Sequence, residues 1–269
     1  MRNSSDSSVT RAITAVAPAA WLVPARRRGH EHLDDPRAAA PGIVVRELRD
    51  VARANALLGG TRAVVREVCE ALDVRPASEG AASGSAASRR TATLLDVGTG
   101  LGDIPRAVAR AAGRRGIRVE SCGVELSEGA ARAAHGEATS AVCADAFHLP
   151  FADRSVDVVT CSQLLHHFEG DHVLALLREL DRVAAHRVIV SDIRRAWLAA
   201  AGLLLLSWPL GFHPHSRHAG VTSVLRGFTA TELQTLATAA TGATVRATDR
   251  AGFRVTASWC PVAAGGAPA

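Results

Sequence analysis

Residues 94–103 contain a combination of residue types that suits a cofactor-binding turn. Two leucines and Asp96 indicate the end of a buried strand, and glycines follow at alternate positions, Gly98, Gly100 and Gly102. Glycine has no Cβ, so such a turn can adopt positive φ and a ligand can lie against the bare backbone. The N–H groups that begin the next helix lack partners within that helix and would point at the ligand.

The glycine spacing distinguishes between cofactor classes. A dinucleotide fingerprint is G-x-G-x-x-G, and its third glycine lets the helix pack closely on the strand. Counted from Gly98 that glycine would stand at Asp103, and counted from Gly100 it would stand at Pro105. The observed pattern is D-x-G-x-G-x-G, which disfavours a nicotinamide-dependent oxidoreductase.

A second acid follows at the end of the next apolar stretch, Val119 to Val124. Glu125 could accept hydrogen bonds from both ribose hydroxyls of an adenosine cofactor. It could also be an acid near the start of the helix that follows Ser127, where negative charge is favoured.

Further strands and polar ends continue in order along the chain. A third strand at 140–144 leads to Asp145, a fourth ends near His166 and His167, and a helix is predicted at about 171–183. A fifth strand at 186–190 leads to Asp192, and two final strands are predicted at about 244–248 and 254–259. Strands that alternate with helices predict an α/β protein with a parallel sheet.

This ordered set resembles the class I S-adenosylmethionine-dependent methyltransferases. The resemblance implies a Rossmann-like class I methyltransferase fold, with a seven-stranded, mostly parallel sheet, helices on both faces and an N-terminal helical extension. It also implies S-adenosyl-L-methionine as the cofactor, with an acid at the end of the third strand accepting from the adenine amino group. The cofactor-binding residues implied by the resemblance are Asp96, Gly98, Thr99, Gly100, Gly102, Asp103, Glu125, Leu126, Asp145, Ala146 and Ser162.

Residues 32–36, 48–60 and 216–226 resemble a narrower bacterial subgroup of small-molecule methyltransferases. Its members often accompany type III polyketide synthases, and their core is similar to that of ubiquinone and menaquinone methyltransferases. The subgroup implies methylation at oxygen or carbon of a small aromatic or polyketide-like acceptor. It usually has an acid after the Arg217-His218 pair, where this chain has Ala219.

Three histidines are candidate general bases for such a transfer. Ligands of open α/β sheets bind at the carboxyl ends of the strands, so His166 or His167 would face the acceptor. Histidine titrates near neutral pH, which suits removal of a proton from a phenol or enol. In the alternative, His167 packs under the next helix and His166 is solvated. His218 would act from a lid or be a solvated loop residue, and Asp192 would act as a base, orient a histidine or cap the next helix.

The chain divides by composition into a disordered tail at 1–30, a helical extension at 31–75, a flexible linker at 76–90 and a methyltransferase domain at 91–263. Within that domain, 196–228 is predicted to be an apolar helix and lid over the acceptor site. Leu203 to Leu206 and Trp208 would line an apolar acceptor pocket or pack in the core. The uncharged run 196–212 is shorter than the roughly 20 residues of a spanning helix, so we expect no membrane span. Thr229 and Glu232 have the spacing of a capping box.

Composition restricts the remaining function classes. The chain has 269 residues, 48% hydrophobic, and a net charge of +5, and its basic residues are all scattered arginines rather than a basic groove with aromatics. A DNA amino-methyltransferase motif, (N/D)-P-P-(Y/F), is absent at 161–164. We therefore expect no nucleic-acid partner, although a nucleic-acid methyltransferase or a non-catalytic cofactor-binding relative remain alternatives. Five cysteines without a C-x-x-C pair indicate free thiols, a cytoplasmic location and no metal site.

Overall fold

The computed structural model describes residues 23–27, 41–74, 90–135, 140–209, 211–212 and 214–262. A seven-stranded sheet runs through its centre in the order β3-β2-β1-β4-β5-β7-β6. Neighbouring strands are parallel except for β7, which is antiparallel to both β5 and β6. The strands are β1 (Arg90–Val97), β2 (Ile117–Glu125), β3 (Ser140–Cys143), β4 (Val156–Ser162), β5 (Ala184–Ile193), β6 (Arg246–Arg250) and β7 (Arg254–Trp259).

Eight α-helices lie within the described residues, and a single 3-10 turn, Leu165–His167, follows β4. The helices are α1 (Pro41–Leu57), α2 (Gly60–Val74), α3 (Asp103–Gly113), α4 (Glu128–Ala134), α5 (Asp171–Val183), α6 (Trp197–Leu206), α7 (Pro214–Arg226) and α8 (Ala230–Thr241). The predicted α/β architecture, with a seven-stranded, mostly parallel sheet and helices on both faces, is confirmed.

Alternating side chains on β1 supply two separate cores, one on each face of the sheet. Leu94 packs with α2 and α3 residues such as Val68 and Val108, whereas Leu95 belongs to the cluster that contains Leu177 of α5. Successive residues of a strand point to opposite faces, so a strand buried on both sides is apolar throughout. The sheet is therefore packed between α2 and α3 on one face and α5 and α8 on the other.

The observed element boundaries differ from the predicted ones mainly around the last strands. The helix predicted at 171–183 has those bounds, and the Thr229–Glu232 capping box is present at the start of α8. β5 is longer than predicted at both ends. β6 begins at Arg246, two residues later than predicted, because α8 ends at Thr241 with Gly242 as its cap, and the buried Ala243 and Val245 lead from there into the sheet.

The N-terminal part of the chain contacts the sheet at two places. α2 contributes Val64, Val68 and Leu72 to a core cluster shared with β1 and α3, so the predicted extension includes a layer of the main fold. Within the predicted tail, Arg27 N donates to Leu225 O at 3.0 Å, which ties residues 23–27 to α7. The rest of that tail, and residues 76–89 of the predicted linker, lie outside the described residues.

All five cysteines are free thiols in the structure. Among the described residues no cluster of three or more potential metal ligands occurs. Nor does any helix in the described ranges have the length and apolarity needed to cross a bilayer.

Candidate active site

The glycine-rich turn between β1 and α3 is fixed by backbone hydrogen bonds to β2. Gly98, Gly100 and Gly102 have φ of 71°, 59° and 67°, a left-handed conformation that L side chains rarely adopt. The N–H groups of Gly98 and Thr99 both donate to Val124 O, at 2.9 and 3.2 Å. The conformation inferred from glycine spacing is the one that the structure has.

A cavity of about 420 Å³ lies against this turn at the carboxyl ends of β1, β2 and β4. It is covered by α1, whose Val44, Leu48, Val51 and Asn55 line it. Of the residues predicted from sequence, those that line the cavity are Gly98, Thr99, Gly100, Asp103, Glu125, Leu126, Asp145, Ala146, Ser162, His166 and His167.

Two of the predicted cofactor-binding residues lie behind the turn and do not line the cavity. Asp96 is 1% exposed and accepts hydrogen bonds from the Thr99 and Thr160 hydroxyls, at 2.9 and 2.7 Å. Burial raises the pKa of Asp96 to about 7. A Cβ on Gly102 would come within 3.1 Å of Ala134 O, so this glycine permits the close approach of α3 to α4. Both residues therefore support the turn without lining the cavity.

Glu125 lies at the end of β2 and faces the same cavity. Its Oε1 accepts the Gly100 N–H at 2.5 Å, which joins the turn to β2. Burial raises the pKa of Glu125 to about 7. Asp145, after β3, accepts from Phe147 N at 2.9 Å, so its carboxylate orders the backbone that follows.

His166 has the geometry of an oriented base. It is 2% exposed, and its Nδ1 lies 2.7 Å from Asp192 Oδ1, at the end of β5. The backbone N–H of His166 also donates to Asp192 Oδ2 at 3.1 Å. The remaining ring nitrogen, Nε2, is buried and has no hydrogen-bond partner among the described residues. Burial of Asp192 opposes its charge, but the charge and hydrogen bond of His166 hold the pKa of Asp192 below its usual value.

The other two candidate histidines are placed differently. His167 is half-buried, with its ring centroid 4.3 Å from that of His166. The alternative of a solvated His166 is wrong, because His166 is 2% exposed. His218 is exposed on α7 and lines neither this cavity nor the second one described below. The segment predicted as a loop is helical there, and its Arg217 stacks on Trp208 at 4.2 Å.

A second cavity of about 230 Å³ adjoins the first and shares Val51, Gln163 and Ser223 with it. Its walls come from α1, α6, α7 and the start of β7 and are predominantly apolar. Of the apolar run predicted to line an acceptor pocket or pack in the core, Leu203 and Leu206 line this cavity.

The other members of that run, Leu204, Leu205 and Trp208, are 51%, 73% and 69% exposed. Both predicted roles, lining a pocket and packing in the core, are therefore wrong for these three residues. α6 is apolar on all sides, and only one of its sides faces the second cavity.

Residues of α1 and two isolated polar side chains were not found from sequence. Gln163 has a left-handed φ of 54°, and its amide donates to Asn55 Oδ1 across the boundary of the two cavities. Arg254 lines the second cavity from β7. The helical periodicity of α1 shows that it has an apolar face, but not that this face covers the carboxyl edge of the sheet.

Comparisons with known proteins give one family match and several similar folds. Residues 95–190 match the family model described as "Methyltransferase domain". The sequence matches none of the curated proteins. Among solved structures, a proposed O-methyltransferase from Nostoc punctiforme aligns over 94% of this chain and 67% of its own, with 15% identity and a TM-score of 0.56.

Two further solved structures are similar. The CurJ carbon methyltransferase aligns over 76% of this chain and 54% of its own, with 11% identity and a TM-score of 0.52. Magnesium protoporphyrin IX methyltransferase from Synechocystis, with bound SAH, aligns over 76% of this chain and 84% of its own, with 17% identity and a TM-score of 0.49. The cofactor expected from the sequence, S-adenosylmethionine, agrees with the domain match. Residues 95–190 thus match a methyltransferase domain model, and the seven-stranded sheet that contains them has the class I methyltransferase fold.

Proposed function

We propose that this protein is an S-adenosylmethionine-dependent methyltransferase (EC 2.1.1.-) that methylates oxygen or carbon of a small aromatic or polyketide-like acceptor. The observation that carries the proposal is the position of His166. His166 lines the cavity formed by the glycine turn, its buried Nε2 has no hydrogen-bond partner among the described residues, and an apolar cavity adjoins that one. The bacterial small-molecule subgroup and a cytoplasmic location are part of the same proposal.

The residues around the first cavity fit the cofactor. Glu125 would accept the ribose hydroxyls, and Gly98 and Gly100, both in the left-handed conformation, line the same cavity from the turn. The Ser162 hydroxyl is buried in the cavity wall without a hydrogen-bond partner among the described residues, as expected for a group that awaits a ligand. Bound S-adenosylmethionine supplies a methyl group on a sulfonium, which is already activated for displacement.

We assign His166 as the general base and Asp192 as the group that orients it. The 2.7 Å contact between Nδ1 and Asp192 Oδ1 keeps the second ring nitrogen free to accept a proton. His166 would take the proton that a phenol or an enol loses as it becomes the nucleophile. The remaining rate acceleration would come from alignment of the two reactants, which can lower the activation barrier by about 7–11 kcal/mol.

The first experiment is titration calorimetry with S-adenosylhomocysteine on the wild type, Gly100→Arg and Gly116→Arg. Both glycines have positive φ, 59° and 73°, so both variants carry similar backbone strain. Gly116 lies at a turn outside both cavities, and a Cβ there meets nothing within 4 Å. We expect micromolar binding by the wild type and by Gly116→Arg, and no binding by Gly100→Arg. A wild type that does not bind would refute the proposal.

Methyl transfer is then tested with tritium-labelled S-adenosylmethionine and a panel of phenols, hydroxyaromatic acids and polyketide lactones. Transfer of label to any member supports the proposed acceptor class. Binding of S-adenosylmethionine without transfer to any member would favour a non-catalytic cofactor-binding protein. Salt-dependent binding of duplex DNA or RNA would favour a nucleic-acid methyltransferase.

A further inference from the structure

Arg254 is a buried cation in the wall of the second cavity. It is the first residue of β7 and is 3% exposed. Its Nε and Nη1 are both buried and have no hydrogen-bond partner among the described residues. Its ladder partner on β5 is Ile193, whose side chain cannot hydrogen-bond to it.

Other buried arginines of this protein are satisfied. Arg195 is 5% exposed and donates to Pro24 O, Gly227 O and Glu232 Oε1, all within 2.7 Å. Arg226 is 4% exposed and donates to the backbone oxygens of His166 and His167. These arginines join elements of the fold, whereas Arg254 makes no comparable bond.

The charge of Arg254 persists despite its burial. Burial lowers the pKa of Arg254 to about 10, an effect that the negative charge of Asp192 opposes. The guanidinium is therefore protonated at neutral pH. A buried charge without hydrogen-bond partners is costly, and such groups in native proteins are normally paired with an opposite charge.

We propose that Arg254 binds a carboxylate of the methyl acceptor, so that the substrate is an aromatic or polyketide acid. This inference rests on the proposed function, because that function makes the second cavity the acceptor site. A guanidinium forms short, charge-assisted hydrogen bonds with a carboxylate, and the apolar walls strengthen them. The acceptor would place its acid at β7 and its apolar ring against Leu203, Leu206 and Phe212.

Two carboxylates in the lining of the same cavity support this orientation. Glu47 and Asp50 of α1 also line the second cavity and are 4% and 6% exposed. They would repel an acid placed near α1 and accept hydrogen bonds from hydroxyl groups there. The charge pattern therefore favours a hydroxylated acid with its carboxylate at Arg254.

The test compares two probes of equal shape, naphthoate and the uncharged naphthamide. Their affinities are measured by calorimetry for the wild type, Arg254→Lys and Arg254→Gln, with and without saturating S-adenosylhomocysteine. We expect the wild type to prefer naphthoate by about ten- to hundredfold, as expected for hydrogen bonds to a charged group. Arg254→Gln should bind both probes equally, and Arg254→Lys should retain part of the preference.

Thermal unfolding distinguishes a binding role from a structural one. Removal of an unsatisfied buried charge should raise the melting temperature, so Arg254→Met is expected to be more stable than the wild type. Arg195→Met, which breaks satisfied bonds, is the matched control and should be less stable. A wild type that binds neither probe at millimolar concentration or binds both equally, or an Arg254→Met that loses stability, would overturn the proposal.

The two proposals can fail separately. If S-adenosylhomocysteine binds but the naphthoate preference does not depend on Arg254, the acid subsite is refuted and methyl transfer stands. If S-adenosylhomocysteine does not bind, the proposed function is refuted. The titrations made without S-adenosylhomocysteine still decide whether Arg254 binds the acid.

Discussion

Asp192 determines which nitrogen of His166 can accept a proton. Its Oδ1 lies 2.7 Å from Nδ1, and Oδ2 accepts the His166 N–H, so the carboxylate fixes both the ring and its backbone. A carboxylate on one imidazole nitrogen also stabilises the imidazolium that forms when the other nitrogen takes a proton. The sequence predicted this role as one of three for Asp192.

We expect Asp192→Asn to lower kcat for a phenolic acceptor by about 10²–10⁴-fold with KM little changed. The amide cannot stabilise the imidazolium and removes the preference for the required tautomer. The measurement is kcat and KM for the phenolic acceptor, each compared between the variant and the wild type. His167→Gln is the control, and an equal loss in that variant would assign the base to His167.

The raised pKa of Glu125 leads us to expect that binding of S-adenosylhomocysteine depends on pH. Its pKa is about 7 because it is buried, and the ionised form is the better acceptor for ribose hydroxyls. Affinity for S-adenosylhomocysteine should therefore rise as pH increases from 6 to 8, by about tenfold or less. Calorimetry on Glu125→Gln should give weaker binding without this dependence. A wild-type affinity that is constant over this pH range would contradict the assignment.

The same burial opposes the stability of the ligand-free protein. Asp96 and Glu125 both have folded-state pKa values of about 7, above those of the unfolded chain. Their protonated forms favour folding, so stability is highest below the unfolded pKa and is lost as pH rises through about 7. Of the two, only Glu125 lines the cavity, so the ionisation of Glu125 would become favourable when a ligand donates to it.

At the scale of elements, the turns before α2 and after β6 touch through two glycines. Gly59 and Gly252 have φ of 82° and 72°. A Cβ on Gly252 would stand 1.7 Å from Leu58 O, and one on Gly59 would stand 3.3 Å from Ala251 O. Leu58 and Gly252 also line the second cavity, so this contact positions two of its walls.

Gly252→Ala should therefore separate the two turns. Gly242→Ala is a matched control because its φ is 70° and a Cβ there meets nothing within 4 Å. We expect a cost of about 1 kcal/mol for the control and at least about 3 kcal/mol for Gly252→Ala. Urea unfolding measures the difference, and equal costs would show that the clash is relieved without loss of packing.

Sequence patterns located most elements that carry the site but not the helices that enclose it. The strand ends and the glycine turn follow from local chemistry, since each needs particular residues within a few positions. The position of α1 over the first cavity depends on contacts between distant segments, such as Gln163 with Asn55. α6 was misread in part because a uniformly apolar helix does not show which of its sides is covered.

At the scale of the whole molecule, Glu67 joins the N-terminal helices to the last two strands. This α2 residue is 4% exposed, and its carboxylate accepts hydrogen bonds from Arg250, Arg246 and Thr256. The contacts span about 180 residues of sequence, which no local pattern could reveal. They argue that α2 folds together with the sheet rather than as a separate extension.

Glu67→Ala should accordingly destabilise the whole protein by about 3–5 kcal/mol, because it leaves Arg250 at 14% exposure without its carboxylate. Glu70→Ala is the matched control on the same helix. Glu70 is 44% exposed, and its pair with the exposed Arg66 should contribute far less, because solvent screens both charges. Denaturant unfolding followed by circular dichroism and by tryptophan fluorescence should give one coincident transition for each variant. Two separate transitions, or equal costs for Glu67→Ala and Glu70→Ala, would instead show that the N-terminal helices form an independent unit.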